Sequence, residues 1–230
     1  MKRVKTLTAA IFLLGQALSG AAFAATVTLS GSTVDFILDD TMLGPFGPAS
    51  VFGDILYFTP IDFAARSLNG GGYSLTNETM NIKVSAHAGW EFSSMDLTEK
   101  GDYLLLGSGS TADISGQMRV FDVAKPLVDV TASLQPGSPF NQMGLPTHNW
   151  TALASTDLSA WNTTRMLNVT VENLLLASTG VPSSVAFVEK KFVGLTAVMA
   201  PVPEADTYAM MLAGLGLVGL TVMRRRAKFK

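Results

Sequence analysis

The chain has 230 residues, of which 48% are hydrophobic, and its formal net charge is −2. It contains no cysteine, which excludes disulfides and thiolate metal sites, so the stability of the fold must come from its packed core. The clustered basic residues lie near the two termini, and the rest of the chain offers no basic surface for a phosphate backbone, which argues against nucleic acid as a partner.

The first 24 residues have the three-part order of a signal peptide. Three basic residues within the first five precede an apolar stretch over residues 7–18, and Ala22-Phe23-Ala24 follows. Small residues fit the pocket of signal peptidase, so we predict that this enzyme cuts after Ala24 and leaves Ala25 as the first residue of the mature chain. The alternative is an uncleaved membrane anchor, for which the apolar stretch is short.

Residues 25–200 show the alternation of an all-β body. Apolar and polar residues alternate around Val27, Ile82, Val130 and Val169, which is typical of antiparallel strands with one buried face. Segments rich in glycine, proline and other turn residues predict turns at 69–72, 99–102, 107–110 and 136–139. We therefore predict an antiparallel β-sandwich or jelly-roll-like body made of many short strands.

Two segments of the body have a more specific interpretation. Residues 136–164 have no regular period and predict a long loop, in which Trp150 and Trp161 either anchor the loop to the core or offer aromatic faces to sugar rings. Near the end of the body, Glu189-Lys190-Lys191 interrupts an apolar run. This pattern predicts a last strand whose charges protect an exposed sheet edge.

The candidate metal ligands do not form a recognised pattern. His87 and His148 are the two histidines of the chain, and they lack the spacing of metal ligands. Asp35, Asp39 and Asp40 are a candidate cation site, but the alternating carboxylates and glycine of a calcium loop are missing, which favours a solvated strand end. We predict no metal site.

The sequence also lacks a catalytic constellation. Gly107-x-Gly109-x-x-Ala112 partly matches a dinucleotide fingerprint, but residues 114–123 after it read as a strand, so a hairpin turn is favoured. We predict no cofactor and no catalytic residues, and therefore no enzyme. Carboxylates from distant strands leave a polysaccharide-active hydrolase as an alternative.

The last thirty residues read as a membrane segment with a defined orientation. Residues 208–223 are uncharged and largely apolar, and Arg224, Arg225 and Arg226 follow them. As a helix this segment is about 24 Å long, somewhat shorter than the roughly 30 Å hydrocarbon core. The arginines are expected to stay cytoplasmic, which places the body outside. Gly214-x-Gly216-x-x-Gly219 within the segment is interpreted as small residues of a membrane helix.

The same tail resembles the PEP-CTERM sorting domain of Gram-negative bacteria. Val202-Pro203-Glu204-Ala205 precedes the apolar segment and the arginine cluster, with Ala205 where the family has a second proline. The resemblance implies processing by exosortase, an integral-membrane peptidase, after transient or stable anchoring in the inner membrane. It further implies release to the cell surface or the extracellular matrix.

Together these observations divide the chain into a signal peptide (1–24), a β-rich body (25–200) and a sorting tail (201–230). We expect an exported surface or matrix protein with a structural or interaction role in an exopolysaccharide or biofilm setting, where extracellular polysaccharide is a candidate partner. A carbohydrate-binding module is the first alternative, and the polysaccharide-active hydrolase is the second.

Overall fold

The computed structural model of the chain describes residues 26–202 and 210–219. The first range folds into thirteen β-strands and two short 3₁₀ turns, and the second range is helical. The strands are β1 (Thr26–Ser30), β2 (Val34–Asp39), β3 (Ala49–Phe52), β4 (Ile55–Phe58), β5 (Ala64–Leu68), β6 (Gly72–Ala86), β7 (Trp90–Leu106), β8 (Ser110–Asp122), β9 (Lys125–Ser133), β10 (Gln135–Pro136), β11 (His148–Asp157), β12 (Met166–Thr179) and β13 (Val185–Pro201). The 3₁₀ turns are Asp40–Met42 and Gly44–Phe46.

The strands form two antiparallel sheets. Sheet A has the order β1-β2-β6-β12-β8-β9, and sheet B has the order β10-β11-β7-β13-β4-β3, with β5 also paired to β13. Buried apolar side chains from both sheets form a single core cluster. The antiparallel β-sandwich predicted for the body is therefore confirmed.

The predicted alternation fixes which face of each strand is buried. Ile82 on β6 and Val169 on β12 are 0% exposed, and their polar neighbours Asn81 and Thr170 face outward, where the Thr170 hydroxyl donates to Asn81 Oδ1 at 2.7 Å. Such side-chain alternation places one face of each strand in the core.

The strands are longer than the sequence suggested, and one predicted turn is wrong. Five strands, β6, β7, β8, β12 and β13, contain 15, 17, 13, 14 and 17 residues. Residues 99–102, predicted as a turn, lie inside β7. Gly101 is required there by close packing, because a Cβ at this position would lie 2.7 Å from the Trp150 ring and 1.9 Å from the Glu189 carbonyl oxygen. The glycine marks a close approach within a strand.

The segment 136–164 is also more regular than predicted. Its centre is β11, which pairs along its whole length with β7. Trp150 on this strand is 4% exposed and belongs to the core. The irregular parts are the connections on either side of β11.

The charged triplet 189–191 does not protect a sheet edge, so that prediction is wrong. Its strand, β13, lies inside sheet B, with β7 on one side and β5 and β4 in succession on the other. The pairing of β13 with β7 shifts between Lys190 and Phe192, which makes a β-bulge at Lys191. Before the bulge Val188 and Lys190 are buried, and after it Val193 and Leu195 are buried. The bulge therefore changes which alternate residues face the core.

Candidate functional site

The predicted processing residues fall mostly outside the described part of the chain. Val202 is described: its N–H donates to the Gly89 carbonyl at 2.8 Å, directly after β13 ends at Pro201. The sorting motif thus begins where the last strand of the body ends. The remaining predicted processing residues lie outside the described ranges: Ala22, Ala24 and Ala25 of the signal cleavage site, Pro203, Glu204 and Ala205 of the motif, and Arg224, Arg225 and Arg226 of the basic end.

The predicted membrane segment, 208–223, is described over 210–219. This stretch is helical and contains Gly214, Gly216 and Gly219. Searched over residues 26–202 and 210–219, the structure has no helix with both the length and the apolar character needed to cross a membrane.

Two of the three aspartates considered as a cation site, Asp35 and Asp39, have separate partners. Asp35 Oδ1 lies 3.1 Å from His87 Nε2, and this hydrogen bond lowers the pKa of the Asp35 carboxyl. Asp39 Oδ1 instead accepts from the Thr41 backbone N–H at 3.0 Å and from its hydroxyl at 2.6 Å, capping the first 3₁₀ turn. Over the described ranges, no three histidine, aspartate and glutamate side chains are grouped to hold a metal ion.

The other sequence candidates have structural roles. Gly107 and Gly109 have φ of 77° and 73° in the hairpin turn between β7 and β8, and the residues after them are a strand, as predicted. His148 packs against Tyr103, with 5.5 Å between the ring centroids.

Both tryptophans of the segment 136–164 anchor it to the core. Trp150 is buried, and its indole Nε1 donates to the Glu189 carbonyl at 3.2 Å. Trp161 is partly buried and packs against the core cluster. The anchoring interpretation is confirmed, and the sugar-stacking interpretation of Trp150 is wrong because its ring is covered.

A cavity of about 630 Å³ lies beside β1 and the two 3₁₀ turns. Leu29, Leu38 and Leu43 contribute to its wall, and among the described residues that line it Asp40 is the one with an ionisable side chain. Glycoside hydrolysis ordinarily uses two carboxyl groups across the scissile bond. The described residues that line this cavity supply one carboxyl group, that of Asp40.

The most unusual chemistry of the body is a polar triad inside the sandwich, formed by Glu99, Asn173 and Lys190. These side chains come from β7, β12 and β13, so the triad joins the two sheets. Glu99 and Asn173 are 0% exposed and Lys190 is 2% exposed. Lys190 Nζ donates to both Glu99 Oε2 and Asn173 Oδ1.

An aromatic ring lies beside the triad. Lys190 Nζ lies 5.0 Å from the centroid of the buried Phe63 ring, within the range of a cation–π contact. Trp150 packs over Gly101, the residue that pairs with Lys190 across β7 and β13. Glycine at 101 thus leaves room for the Trp150 ring next to the pairing position of Lys190.

The triad is incompletely hydrogen-bonded. Among the described residues, neither Glu99 Oε1 nor Asn173 Nδ2 has a hydrogen-bond partner, although both atoms are buried. An unsatisfied buried polar group costs about 1–3 kcal/mol. A purely structural ion pair would be expected to satisfy these groups.

Burial shifts both ionisable members of the triad toward their neutral forms. Desolvation raises the pKa of the Glu99 carboxyl, opposed by the charge of Lys190. Desolvation likewise lowers the pKa of the Lys190 ammonium, opposed by Glu99. Both shifts make it easier to form a carboxylic acid and a free amine, which are a proton donor and a nucleophile.

A second polar cluster surrounds the bulge residue Lys191. Its Nζ lies 2.6 Å from Asp102 Oδ2 and 2.7 Å from Glu189 Oε1, and Thr147 also donates to Asp102 at 3.1 Å. Hydrogen bonding to Asp102 and Glu189 raises the pKa of Lys191. The Lys191 side chain is 55% exposed, so adjacent lysines occupy opposite environments.

The sequence analysis missed the triad, although a signal was present. Glu99 follows Met95 and Leu97 at the alternate positions of β7 that face the core, and Asn173 follows Val169 and Val171 in the same way on β12. A polar residue at an inward position on each of three strands indicates a buried polar contact. Reading residues 99–102 as a turn concealed the first of them.

Comparison with known families matches the tail of the chain. The profile of the family described as PEP-CTERM protein-sorting motif matches residues 201–226. The comparison with curated proteins finds no match to the chain.

The comparison with solved structures finds a similarity to a chain of the structure titled "Structure of infectious bursal disease virus Gt strain". The identity is 11% and the TM-score is 0.17, over 80% of this chain and 57% of the viral chain. This chain therefore spans little more than half the length of that viral chain.

The matched residues contain the proline and glutamate, the apolar segment and the three arginines identified in the sequence. Such a motif marks exported proteins that are held at the membrane before exosortase processes them. The protein therefore carries a PEP-CTERM protein-sorting motif at residues 201–226.

Proposed function

We propose that the protein is a non-enzymatic surface or matrix protein that an exosortase-type peptidase releases by cutting its tail near Glu204. The observation that carries the proposal is the position of the motif. The match begins at Pro201, the last residue of β13. The recognition sequence therefore follows the folded body directly, without an intervening domain.

The proposal includes a defined path of the chain through the membrane. Signal peptidase acts after Ala24, residues 208–223 span the inner membrane, and Arg224, Arg225 and Arg226 stay in the cytoplasm. Pro203 and Glu204 then emerge on the outer side, where the proline keeps the preceding residue extended and accessible to a peptidase. After cleavage the body is free to enter an extracellular polysaccharide matrix.

Replacement of Glu204 tests the proposed cleavage. We expect Glu204→Ala to leave full-length protein in the membrane fraction, whereas Asp206→Ala, a nearby acidic residue outside the four-residue motif, is processed normally. Mass spectrometry of the carboxy terminus of the released wild-type protein is the direct measurement. A released protein that still contains residues 208–230 would show that the tail is a plain anchor.

A carbohydrate-binding role is a second candidate, supported by an aromatic surface on sheet B. The rings of Tyr57 and Phe192 are nearly parallel, with an interplanar angle of 18° and centroids 6.4 Å apart. Together with Ile55 and the 77% exposed Phe52, they line a shallow depression of about 350 Å³. Aromatic faces of this kind offer an apolar platform to a sugar ring.

Glycan-array binding of the purified protein tests this second candidate. We expect Phe192→Ala to reduce binding strongly if the surface holds sugars. Phe121→Ala is the control, because this partly buried aromatic residue lies on sheet A. Equal binding by both variants would exclude the surface around Phe192 as the site.

A further inference from the structure

We propose that Lys190 and Asn173 form an intramolecular amide cross-link between β13 and β12, promoted by Glu99. The cross-link is an isopeptide bond that joins the Lys190 side-chain nitrogen to the Asn173 side-chain carbon. It would tie sheet B to sheet A through the centre of the sandwich.

The geometry places the reacting groups in contact. Lys190 Nζ donates to Asn173 Oδ1, and this oxygen is bonded to Cγ, the atom to be attacked, at about 1.23 Å. A nucleophile in contact with a carbonyl group in this way approaches a near-attack arrangement, for which reacting atoms lie about 3–3.5 Å apart. Glu99 contacts the same nitrogen through Oε2, so it can accept and return a proton.

The environment favours condensation over hydrolysis. All three side chains are nearly inaccessible to solvent, and the buried Phe63 ring lies 5.0 Å from Lys190 Nζ. Water is therefore a poor competitor for the carboxamide. Burial shifts both pKa values toward the neutral forms, which makes easier the proton transfer from Lys190 to Glu99 that the reaction needs.

The reaction balances without an oxidant or a further reactant. Lys190 first gives a proton to Glu99, and the neutral Nζ attacks Asn173 Cγ while the carbonyl π electrons move onto Oδ1, which the Glu99 acid stabilises by a hydrogen bond. Glu99 then transfers a second proton from Nζ to Asn173 Nδ2. The carbonyl re-forms, the Cγ–Nδ2 bond breaks with its electron pair on nitrogen, and ammonia leaves.

The product also removes one of the two unsatisfied groups of the triad. Asn173 Nδ2, a buried donor without a partner among the described residues, departs as ammonia. The buried lysine charge disappears, and the new amide N–H can donate to the Glu99 carboxyl group. The cross-link thus removes a buried charge and a buried donor that lacks a partner.

Mass spectrometry of the folded full chain tests the cross-link. We expect a mass about 17 Da below that of the unlinked chain, the mass of one ammonia. Trypsin cleaves after Arg165 and Lys191 but not after an acylated Lys190, so both linked residues should appear in one peptide, 166–191, with the same deficit. Breakage of the backbone between residues 173 and 190 should release no fragment ions, because the cross-link still joins the two parts.

Variants separate the cross-link from a cyclised asparagine, which also loses ammonia. Lys190→Met and Glu99→Gln should remove the deficit, Lys191→Met should keep it, and Asn173→Asp should lose about 18 Da, one water, instead. Wild-type peptide 166–190 or 166–191 of unmodified mass would overturn the proposal, as would a deficit that persists in Lys190→Met. The wild-type peptide decides the question even if a variant fails to fold.

Discussion

Lys190 and Lys191 show how strongly the contribution of a charged side chain to stability depends on which face of a strand it occupies. Lys190 is buried with Glu99 and Asn173 in the core, whereas Lys191 pairs with Asp102 and Glu189 at the surface. Removing one partner of a buried ion pair leaves an uncompensated charge, but an exposed pair contributes little because water screens it.

Replacing each lysine by methionine is the matched test. We expect Lys190→Met to lower the free energy of unfolding by about 3–5 kcal/mol, because Glu99 loses its partner. In a chain that carries the proposed cross-link in place of the ion pair, the loss comes instead from removing the link, which restricts the unfolded chain. Lys191→Met should lower the free energy of unfolding by about 1 kcal/mol or less. Urea unfolding measures both, and equal losses would show that the buried triad contributes no special stability.

Asp35 should make folding sensitive to acid. Its pKa is lowered in the folded state from the usual 3.8, mainly by the hydrogen bond from His87. A lowered carboxyl pKa contributes stability above pH 3.8, and this contribution is lost as the pH falls through the folded-state value. The urea midpoint of the wild type should therefore exceed that of Asp35→Asn near neutral pH. The two midpoints should converge in acid, and a gap that widens in acid would contradict the assignment.

At the scale of whole elements, regular alternation was predictable and its interruptions were not. The strands around Ile82 and Val169 were predicted because uninterrupted apolar alternation has one structural explanation. Gly101 was misread because a glycine needed for close packing against Trp150 has the same local signature as a turn. The triad required knowing which strands face one another, and the order of strands in a sheet depends on contacts between distant residues.

The bulge at Lys191 gives an element-scale prediction. Deleting Lys191 would remove the extra residue of the bulge, so Val188, Lys190, Val193 and Leu195 would follow one continuous alternation with the same face buried. We expect the deletion variant, like Lys191→Ala, to unfold cooperatively, measured by circular dichroism. Loss of the cooperative transition in the deletion variant alone would show that the fold requires the bulge itself.

At the scale of the whole molecule, the last strand in the chain completes the middle of sheet B. β13 pairs with β7 along its length and with β5 and β4 on its other side, and residue 201, its last, begins the sorting motif. The partners of β13 lie far from it in sequence, so sheet B cannot be completed until the end of the body is available. The strand that completes sheet B and the sorting motif are therefore adjacent in the chain.

Two truncations test this dependence on the last strand. A mature chain that ends at Val202 keeps β13 and should unfold cooperatively at the same thermal midpoint as the mature chain with its tail. A chain that ends at Ser184 loses Val188, Val193 and Leu195, which at about 1.5–3 kcal/mol per buried side chain represent roughly 5–9 kcal/mol. That loss is comparable with the whole stability of an ordinary domain, about 5–15 kcal/mol, and it also leaves the inner edge of β7 unpaired. We therefore expect the shorter chain to lack a cooperative transition by circular dichroism. If it unfolded cooperatively, the remaining strands would form a stable sandwich without β13, and completion of the fold would not depend on the segment next to the sorting motif.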